Sequence, residues 1–183
     1  MKKHIILCGR RHVGKTTIIN RLMQELTIPV YGYQTSTTVT DEDGTHHIYM
    51  YPAGHVDGQM SEANHVGDCR MKVLNLNRDA FETLGVKFIK RAKPDGIIVM
   101  DEIGFMEIGA EHFCDAVLKA LDGDIPVLAT VKDTELGSEF LDRVRKHPNA
   151  EVYMLTAENR DAIYEELCPQ VRHWNVERRS VTE

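Results

Sequence analysis

Short apolar runs alternate with amphipathic stretches along most of the chain. The apolar runs predict strands at residues 5–8, 71–76, 97–100, 126–131 and 151–155. Apolar residues at helical spacing predict helices at residues 15–26, 78–92, 111–121 and 135–146. This alternation indicates βα units and therefore an α/β fold, with a mostly parallel sheet flanked by helices.

Residues 30–51 show a different pattern, rich in β-branched and aromatic side chains. A run of turn-forming residues, 41–44, interrupts it, so we predict an antiparallel β-hairpin near residues 30–51. Residues 52–70 contain glycines and little periodicity. We predict a long irregular loop there, of the kind that often forms a lid or a binding loop.

The end of the chain is mostly polar. Thr156 is the predicted N-cap of a last helix that reaches about Leu167. From Pro169 onward we expect a loosely held segment. The 183 residues therefore predict one domain at 1–168 and a polar C-terminal tail at 169–183.

Composition narrows the class of protein. The net charge of −6 argues against nucleic acid as a partner. No apolar run approaches the roughly 20 residues of a membrane span, and the N-terminal run is too short for a signal peptide. We therefore expect a cytoplasmic protein with no membrane partner. The cysteines lie far apart and are expected to be structural thiols: Cys8, Cys69, Cys114 and Cys168.

The sharpest chemical signal is a match to G-x-x-x-x-G-K-[ST], with an apolar strand before it and an amphipathic helix after it. In such a loop the main-chain amides point at phosphate oxygens, and the helix adds its positive N-terminal dipole. Lys15 is the predicted catalytic cation for the β and γ phosphates, and the Thr16 hydroxyl a predicted Mg²⁺ ligand. The predicted nucleotide-binding residues are Gly9, Arg10, Arg11, His12, Val13, Gly14, Lys15, Thr16 and Thr17.

An acidic pair, Asp101 and Glu102, follows the predicted strand at 97–100. A buried strand of this kind brings a carboxylate beside the phosphate loop, so Asp101 is the second predicted Mg²⁺ ligand. Glu102 is the predicted catalytic residue that aligns or deprotonates the attacking water. Both assignments assume that the two acids do not simply cap the next loop.

Histidines and a cysteine gather between residues 46 and 69. His55, His65 and Cys69, with His46 and His47 nearby, suggest a zinc site, yet their spacing matches none of the usual structural zinc patterns. We therefore expect surface histidines in this stretch.

With both motifs placed, the chain resembles the small P-loop nucleoside-triphosphatases of archaea, thermophilic bacteria and animals, the family that includes the human cancer-related nucleoside-triphosphatase. The main likeness is residues 101–107, D-E-I-G-F-M-E, against that family's D-E-I-G-x-M-E. The resemblance extends to about residue 167. It implies a RecA-like P-loop fold and Mg²⁺-dependent hydrolysis of nucleoside triphosphates to diphosphates, with broad base tolerance.

One region departs from that pattern, and one further residue matches it. The family usually has arginines around the hairpin turn, whereas residues 38–47 contain none. Arg70, after the glycine-rich loop, matches a family arginine. If residues 52–70 close over the nucleotide, Arg70 is a third catalytic residue, stabilising transition-state charge; such arginines are worth about 10³-fold or more in rate.

Two other functions fit the same phosphate loop. A kinase for a small molecule or nucleotide would use the hairpin and residues 52–70 as an acceptor site. A nucleotide-dependent switch or assembly factor with slow turnover would obtain the missing charge from a protein partner. One fold hosts many functions, so all three stay open at this point.

Overall fold

The computed structural model describes residues 2–70, 72–133 and 138–180. Within them, the strands are β1 (His4–Gly9), β2 (Val30–Thr37), β3 (His46–Pro52), β4 (His65–Cys69), β5 (Val73–Leu74), β6 (Ile97–Ile103), β7 (Val127–Lys132) and β8 (Ala150–Met154). The helices are α1 (Lys15–Gln24), α2 (Arg78–Ala80), α3 (Val86–Lys90), α4 (Glu111–Asp122), α5 (Glu139–Arg145) and α6 (Arg160–Arg179), with a π-helical turn, Phe81–Gly85, joining α2 to α3.

The described strands form one sheet in the order β5-β4-β3-β2-β6-β7-β1-β8. The five strands from β2 to β8 in this order pair in parallel, whereas β3, β4 and β5 extend the sheet with antiparallel pairs. The predicted hairpin is confirmed, since β2 and β3 pair antiparallel from Tyr33 with Pro52 to Thr37 with Ile48. The predicted α/β fold of the RecA-like P-loop type is also confirmed.

Alternation along the parallel strands divides the core into two apolar layers. Ile5 and Leu7 point to the face covered by α1 and α6, and Ile6 lies between them on the opposite face, in the layer that contains Phe113 of α4. All four side chains are fully buried. Burying a side chain of this size contributes about 1.5–3 kcal/mol relative to exposure. The two layers together fix the carboxyl ends of the strands at one edge of the sheet.

The prediction of an irregular loop over residues 52–70 was wrong at its end. Residues 65–69 form β4, which pairs with β3 on one side and β5 on the other. The strand has only one apolar side chain that is fully buried, Val66. Its His and Asp side chains bond across the sheet instead of alternating with apolar residues, so hydrophobic periodicity gave no signal.

The last helix is longer than predicted. It begins at Arg160, continues through Pro169 and ends at Arg179, so the expectation of a loosely held segment from Pro169 is corrected. Proline removes one helical hydrogen bond, but Val171 and Trp174 bury their side chains in the same apolar layer as α1. Asn175 also donates to the Glu25 carbonyl oxygen at 2.9 Å. These contacts offset the helix-breaking tendency of Pro169. Among the described residues, no helix has the length and apolar character of a membrane span.

Candidate nucleotide-binding site

The predicted phosphate loop connects β1 to α1. Gly9 closes β1 where a side chain would not fit, because a Cβ atom there would lie 2.6 Å from the Leu155 carbonyl oxygen. Gly14 precedes the first residue of α1 with φ of 101°. His12 also adopts a positive φ, 66°, so the turn is made with a side chain in place of the glycine that related loops often use. The loop thus leads directly into the N-terminus of α1.

Lys15, the first residue of α1, turns back over the loop. Its side chain is almost fully buried, at 5% exposure. The ammonium donates to the carbonyl oxygens of Gly9 and Arg10, both at 2.9 Å, and forms an ion pair with Glu102 Oε2 at 2.9 Å. A buried lysine needs such partners because an unpaired buried charge is costly. This is the cation that the sequence predicted for the β and γ phosphates.

Asp101 lies at the end of β6, buried among hydrogen-bond donors. Its Oδ1 atom accepts from the Thr130 hydroxyl at 2.6 Å and from the Thr16 hydroxyl at 3.2 Å. Its Oδ2 atom accepts from Gln34 Nε2 at 3.3 Å. Burial raises the pKa of the Asp101 carboxyl, while these hydrogen bonds act in the opposite direction. The two predicted Mg²⁺ ligands, Thr16 and Asp101, are therefore in direct contact.

The donor set around Asp101 fits Mg²⁺. Magnesium prefers hard oxygen ligands and is commonly held by one or two carboxylates together with substrate phosphates. The Asp101 carboxylate and the Thr16 hydroxyl supply such oxygens, and both line the cavity beside the phosphate loop.

Glu102 lies within β6, just before the loop that follows the strand. Strand pairing between β6 and β7 becomes irregular between Met100 and Ile103, as is common next to active sites. Glu107, the last residue of D-E-I-G-F-M-E, closes the loop, since its Oε2 accepts from the Gly104 backbone N–H at 2.9 Å. Burial raises the pKa of Glu107 to about 7. Glu107 thus holds the backbone just beyond Glu102.

One cavity of about 460 Å³ contains most of the predicted site. It is lined by Arg11, His12, Gly14, Lys15, Thr16, Thr17, Thr35, Ser36, Thr37, Asp101 and Glu102. Gly9 and Arg10 contribute the carbonyl oxygens that hold Lys15, and Val13 packs against the apolar layer under α1. The structure therefore brings together the nucleotide-binding and metal-binding residues that the sequence predicted.

Arg70 lies elsewhere. It follows β4 and places its guanidinium Nη1 3.6 Å from Asp43 Oδ2 in the hairpin turn. Both side chains are more than half exposed. Arg70 does not line the 460 Å³ cavity beside the phosphate loop, called the phosphate cavity below. The structure therefore does not bring Arg70 together with Lys15 and Glu102.

Sequence reasoning missed several residues of the site. Thr130 of β7 and Gln34 of β2 donate to Asp101, and the hydroxyl of Thr35 donates to its backbone carbonyl oxygen at 3.3 Å. These strands lie on either side of β6. The available signal was that polar side chains at the carboxyl ends of neighbouring parallel strands meet at one edge of the sheet.

Comparisons with known proteins identify the family of the chain. The family model described as NTPase matches residues 4–168. The chain is similar to the nucleoside-triphosphatase THEP1 of Thermofilum pendens, with 31% identity over 175 residues, which cover 92% of this chain and 95% of that protein. Neither the kinase nor the switch alternative is favoured by these relatives.

Solved structures give the same picture. The crystal structure of THEP1 from the hyperthermophile Aquifex aeolicus matches with a TM-score of 0.71 and 25% identity, covering 92% of this chain and 98% of that one. The solution structure of a human cancer-related nucleoside triphosphatase shares the fold, with a TM-score of 0.66 and 22% identity over 93% of this chain and 98% of that one. The resemblance predicted from the sequence is confirmed, and the chain belongs to the NTPase family of enzymes.

Proposed function

We propose that this protein hydrolyses nucleoside 5'-triphosphates to diphosphates and phosphate, with Mg²⁺ as cofactor and broad tolerance of the base. The observation that carries the proposal is the meeting of three groups in one cavity. The Lys15 ammonium lies 2.9 Å from Glu102 Oε2, and the Thr16 hydroxyl lies 3.2 Å from Asp101 Oδ1. These are a phosphate-binding cation, a carboxylate beside it and an oxygen pair suited to Mg²⁺.

Each residue then has a distinct role. The amides of residues 9–17 and the Lys15 ammonium bind the β and γ phosphates, and Thr16 and Asp101 hold Mg²⁺. When bound, Mg²⁺ would neutralise negative charge on the phosphate oxygens. Glu102 accepts a hydrogen bond from the attacking water and aligns it with the γ-phosphorus. The bond to the leaving diphosphate breaks as the water oxygen bonds to phosphorus.

Broad base tolerance is supported by what the sequence lacks and by what lines the cavity. The chain contains no N-K-x-D pattern, which selects guanine in other P-loop proteins. The residues that line the described cavity are those proposed here to bind phosphate and Mg²⁺, together with Thr35, Ser36 and Thr37 of β2 and the side chains of Arg11 and His12. We therefore expect the four common ribonucleoside triphosphates to be hydrolysed at similar rates.

Arg70 stays a proposal of its own. Its ion pair with Asp43 is exposed, and exposed pairs contribute little to stability, so little opposes a different position of the side chain. Arg70→Ala should lower kcat if the guanidinium reaches the phosphates during turnover. An unchanged kcat would eliminate the assignment.

The test is phosphate release from each nucleoside triphosphate with and without Mg²⁺. Glu102→Gln should retain nucleotide binding and lose about 10²–10⁴-fold in kcat, the usual contribution of a general base. Lys15→Ala should both lower kcat and weaken nucleotide binding. Glu165→Gln, an exposed acid on α6, is the matched control and should behave as wild type.

Two outcomes would contradict the proposal. Phosphate release by Glu102→Gln at the wild-type rate would remove Glu102 from the chemistry. Transfer of labelled γ-phosphate to an acceptor, in place of release, would identify a kinase.

A further inference from the structure

A second group of metal-ligating side chains lies on the antiparallel part of the sheet, outside the phosphate cavity. In the pairing of β3 with β4, His47 is opposite Asp68 and Tyr49 is opposite His65. Side chains two residues apart on a strand share a face, so His47 and Tyr49 project from the same side of the sheet. The His65 ring packs against both, with ring centroids 5.3 Å from Tyr49 and 6.0 Å from His47.

Three ligand atoms converge within this group. Asp68 Oδ1 lies 2.7 Å from His47 Nδ1 and 2.7 Å from His65 Nε2. All three atoms lie within 4.8 Å of one another. Asp68 is buried, at 7% exposure, whereas the two histidines are partly exposed. Two imidazole nitrogens and one carboxylate oxygen are therefore close enough together to bind a single ion, at a partly exposed position.

The side chains around these three are arranged as in outer shells of metal sites. The far nitrogen of His47, Nε2, lies 2.9 Å from Asp41 Oδ2. Asn75 Nδ2 donates to the second oxygen of Asp68 at 2.8 Å. Metal-binding histidines almost always donate their other N–H to a carboxylate or carbonyl, and ligating carboxylates are themselves hydrogen-bonded. Both features are present here, on His47 and on Asp68.

We propose that His47 Nδ1, His65 Nε2 and Asp68 Oδ1 bind a divalent transition-metal ion, for which Zn²⁺ is the best match. Zinc takes imidazole nitrogen and carboxylate oxygen at about 2.0–2.2 Å, with four ligands in a tetrahedron. Three protein ligands leave the fourth position for water.

The geometry needs only a small adjustment to accept the ion. Neighbouring ligand atoms in a tetrahedral zinc site are about 3.3 Å apart, given metal–ligand bonds of about 2.0–2.1 Å. The two nitrogens lie 2.7 Å from Asp68 Oδ1, so each must move outward by about half an ångström. His65 is the first residue of β4, and both histidines are partly exposed, which leaves their side chains room for this movement.

The charge of the surroundings favours a cation. An open cavity of about 760 Å³ adjoins the group, and its lining includes the carboxyl-bearing residues Asp41, Glu42, Asp43 and Asp68. Clefts lined by one sign of charge concentrate ions of the opposite sign. The nitrogen ligands decide which cation binds, because imidazole suits zinc and related metals whereas Mg²⁺ selects oxygen.

This site differs from the zinc site that the histidine-rich stretch suggested. His65 is shared, but Cys69 lies on the other face of β4 and lines a separate cavity that includes Glu102. His55 lies in an exposed turn between β3 and β4. The third ligand is instead Asp68, which spacing rules for His and Cys do not include.

The test titrates Co²⁺, which has visible d–d bands, into the chelator-treated full-length protein in excess Mg²⁺. We expect one equivalent to bind with bands typical of tetrahedral nitrogen–oxygen coordination, and Zn²⁺ to displace it. His65→Ala and Asp68→Asn should each weaken binding by about 100-fold or more, and Asp41→Asn by about 10–100-fold through the outer shell.

Matched controls separate this site from other histidines and from the phosphate cavity. His46→Ala and His55→Ala alter neighbouring histidines outside the group and should bind Co²⁺ as wild type does. Asp101→Asn should also retain the full equivalent. Absence of tetrahedral bands in the wild-type protein, unchanged binding by His65→Ala, or loss of binding in Asp101→Asn would each overturn the proposal. If one variant folds poorly, the visible spectrum of the Co²⁺-loaded wild-type protein still tests the proposal.

Discussion

Two buried aspartates form the centres of two polar regions, and their partners differ in kind. Asp101, at the carboxyl end of the parallel strands, accepts from the hydroxyls of Thr16 and Thr130. Asp68, in the antiparallel strands, contacts the imidazole nitrogens of His47 and His65. An aspartate carboxylate thus contacts hydroxyl oxygens in the first region and imidazole nitrogens in the second.

The difference has an electrostatic side. Burial raises the pKa of Asp101, and the neutral donors around it do not reverse this. Burial also acts to raise the pKa of Asp68, but hydrogen bonds from Asn75, His47 and His65 lower it to about 2. A buried carboxylate among hydroxyl donors suits a hard cation such as Mg²⁺, whereas one beside imidazole nitrogens suits a transition-metal ion such as Zn²⁺. The comparison teaches that ligand class is set by the neighbours of a carboxylate and not by its burial alone.

Removing the charge of Asp101 gives the largest expected effect. Asp101→Asn keeps the shape of the side chain but removes the anionic Mg²⁺ ligand, and we expect kcat/KM for nucleoside triphosphates to fall by about 10³-fold or more, equivalent to several kcal/mol. Phosphate release at a series of Mg²⁺ concentrations measures it. Asp115→Asn, an exposed aspartate on α4, is the control. Wild-type Mg²⁺ dependence in Asp101→Asn would break the comparison.

The next largest effect concerns Glu107, in the phosphate region, and is a pH dependence of the free energy of unfolding. A glutamate carboxyl titrates near 4.5 in the unfolded chain and near 7 in the folded protein. Between these values the folded state holds a proton that the unfolded state has lost, so the free energy of unfolding falls as pH rises, by about 3 kcal/mol in total. Glu107→Gln can still accept the Gly104 N–H and should remove this fall. Urea unfolding of both proteins below and above the interval measures it, and parallel pH profiles would contradict it.

Asp68 should show the opposite sign. Its carboxyl titrates near 3.8 in the unfolded chain and near 2 in the folded protein. In that interval the unfolded chain binds a proton that the folded protein does not. Stability is therefore complete above the interval and is lost as pH falls through it, by about 2 kcal/mol. Asp68→Asn should remove this loss of stability at low pH. Urea unfolding of both proteins above and below the interval measures the difference. Equal acid sensitivity in the two proteins would count against the hydrogen-bond network around Asp68.

The phosphate region was predictable because its determinants are local. The loop at 9–17 and the acidic pair after the strand at 97–100 are short motifs, and each needs only its own strand and turn to be recognised. Parallel strands then place both motifs at one edge of the sheet. Thr130 and Gln34 were not predicted, because their roles depend on which strands lie beside β6, and strand order is a long-range property.

The antiparallel region and the last helix were predictable only in part. The hairpin turn has its own sequence signal, but β4 has mixed polar residues whose partners, such as Asp68 with His47, are 21 positions apart. Pro169 is a local helix-stopping signal, and it is overridden by contacts of Trp174 and Asn175 with distant residues. In both places tertiary contacts outweigh local preference, which a reading of short windows does not detect.

The ion pair between Lys15 and Glu102 has a consequence for the order of events in catalysis. Each of these two side chains neutralises the charge of the other. Under the proposed function, an incoming phosphate would compete with Glu102 for the ammonium, and the displaced carboxylate would be free to accept a hydrogen bond from a water molecule. Substrate binding would therefore release Glu102 for its proposed role as the base, and the ion pair would hold the carboxylate until then.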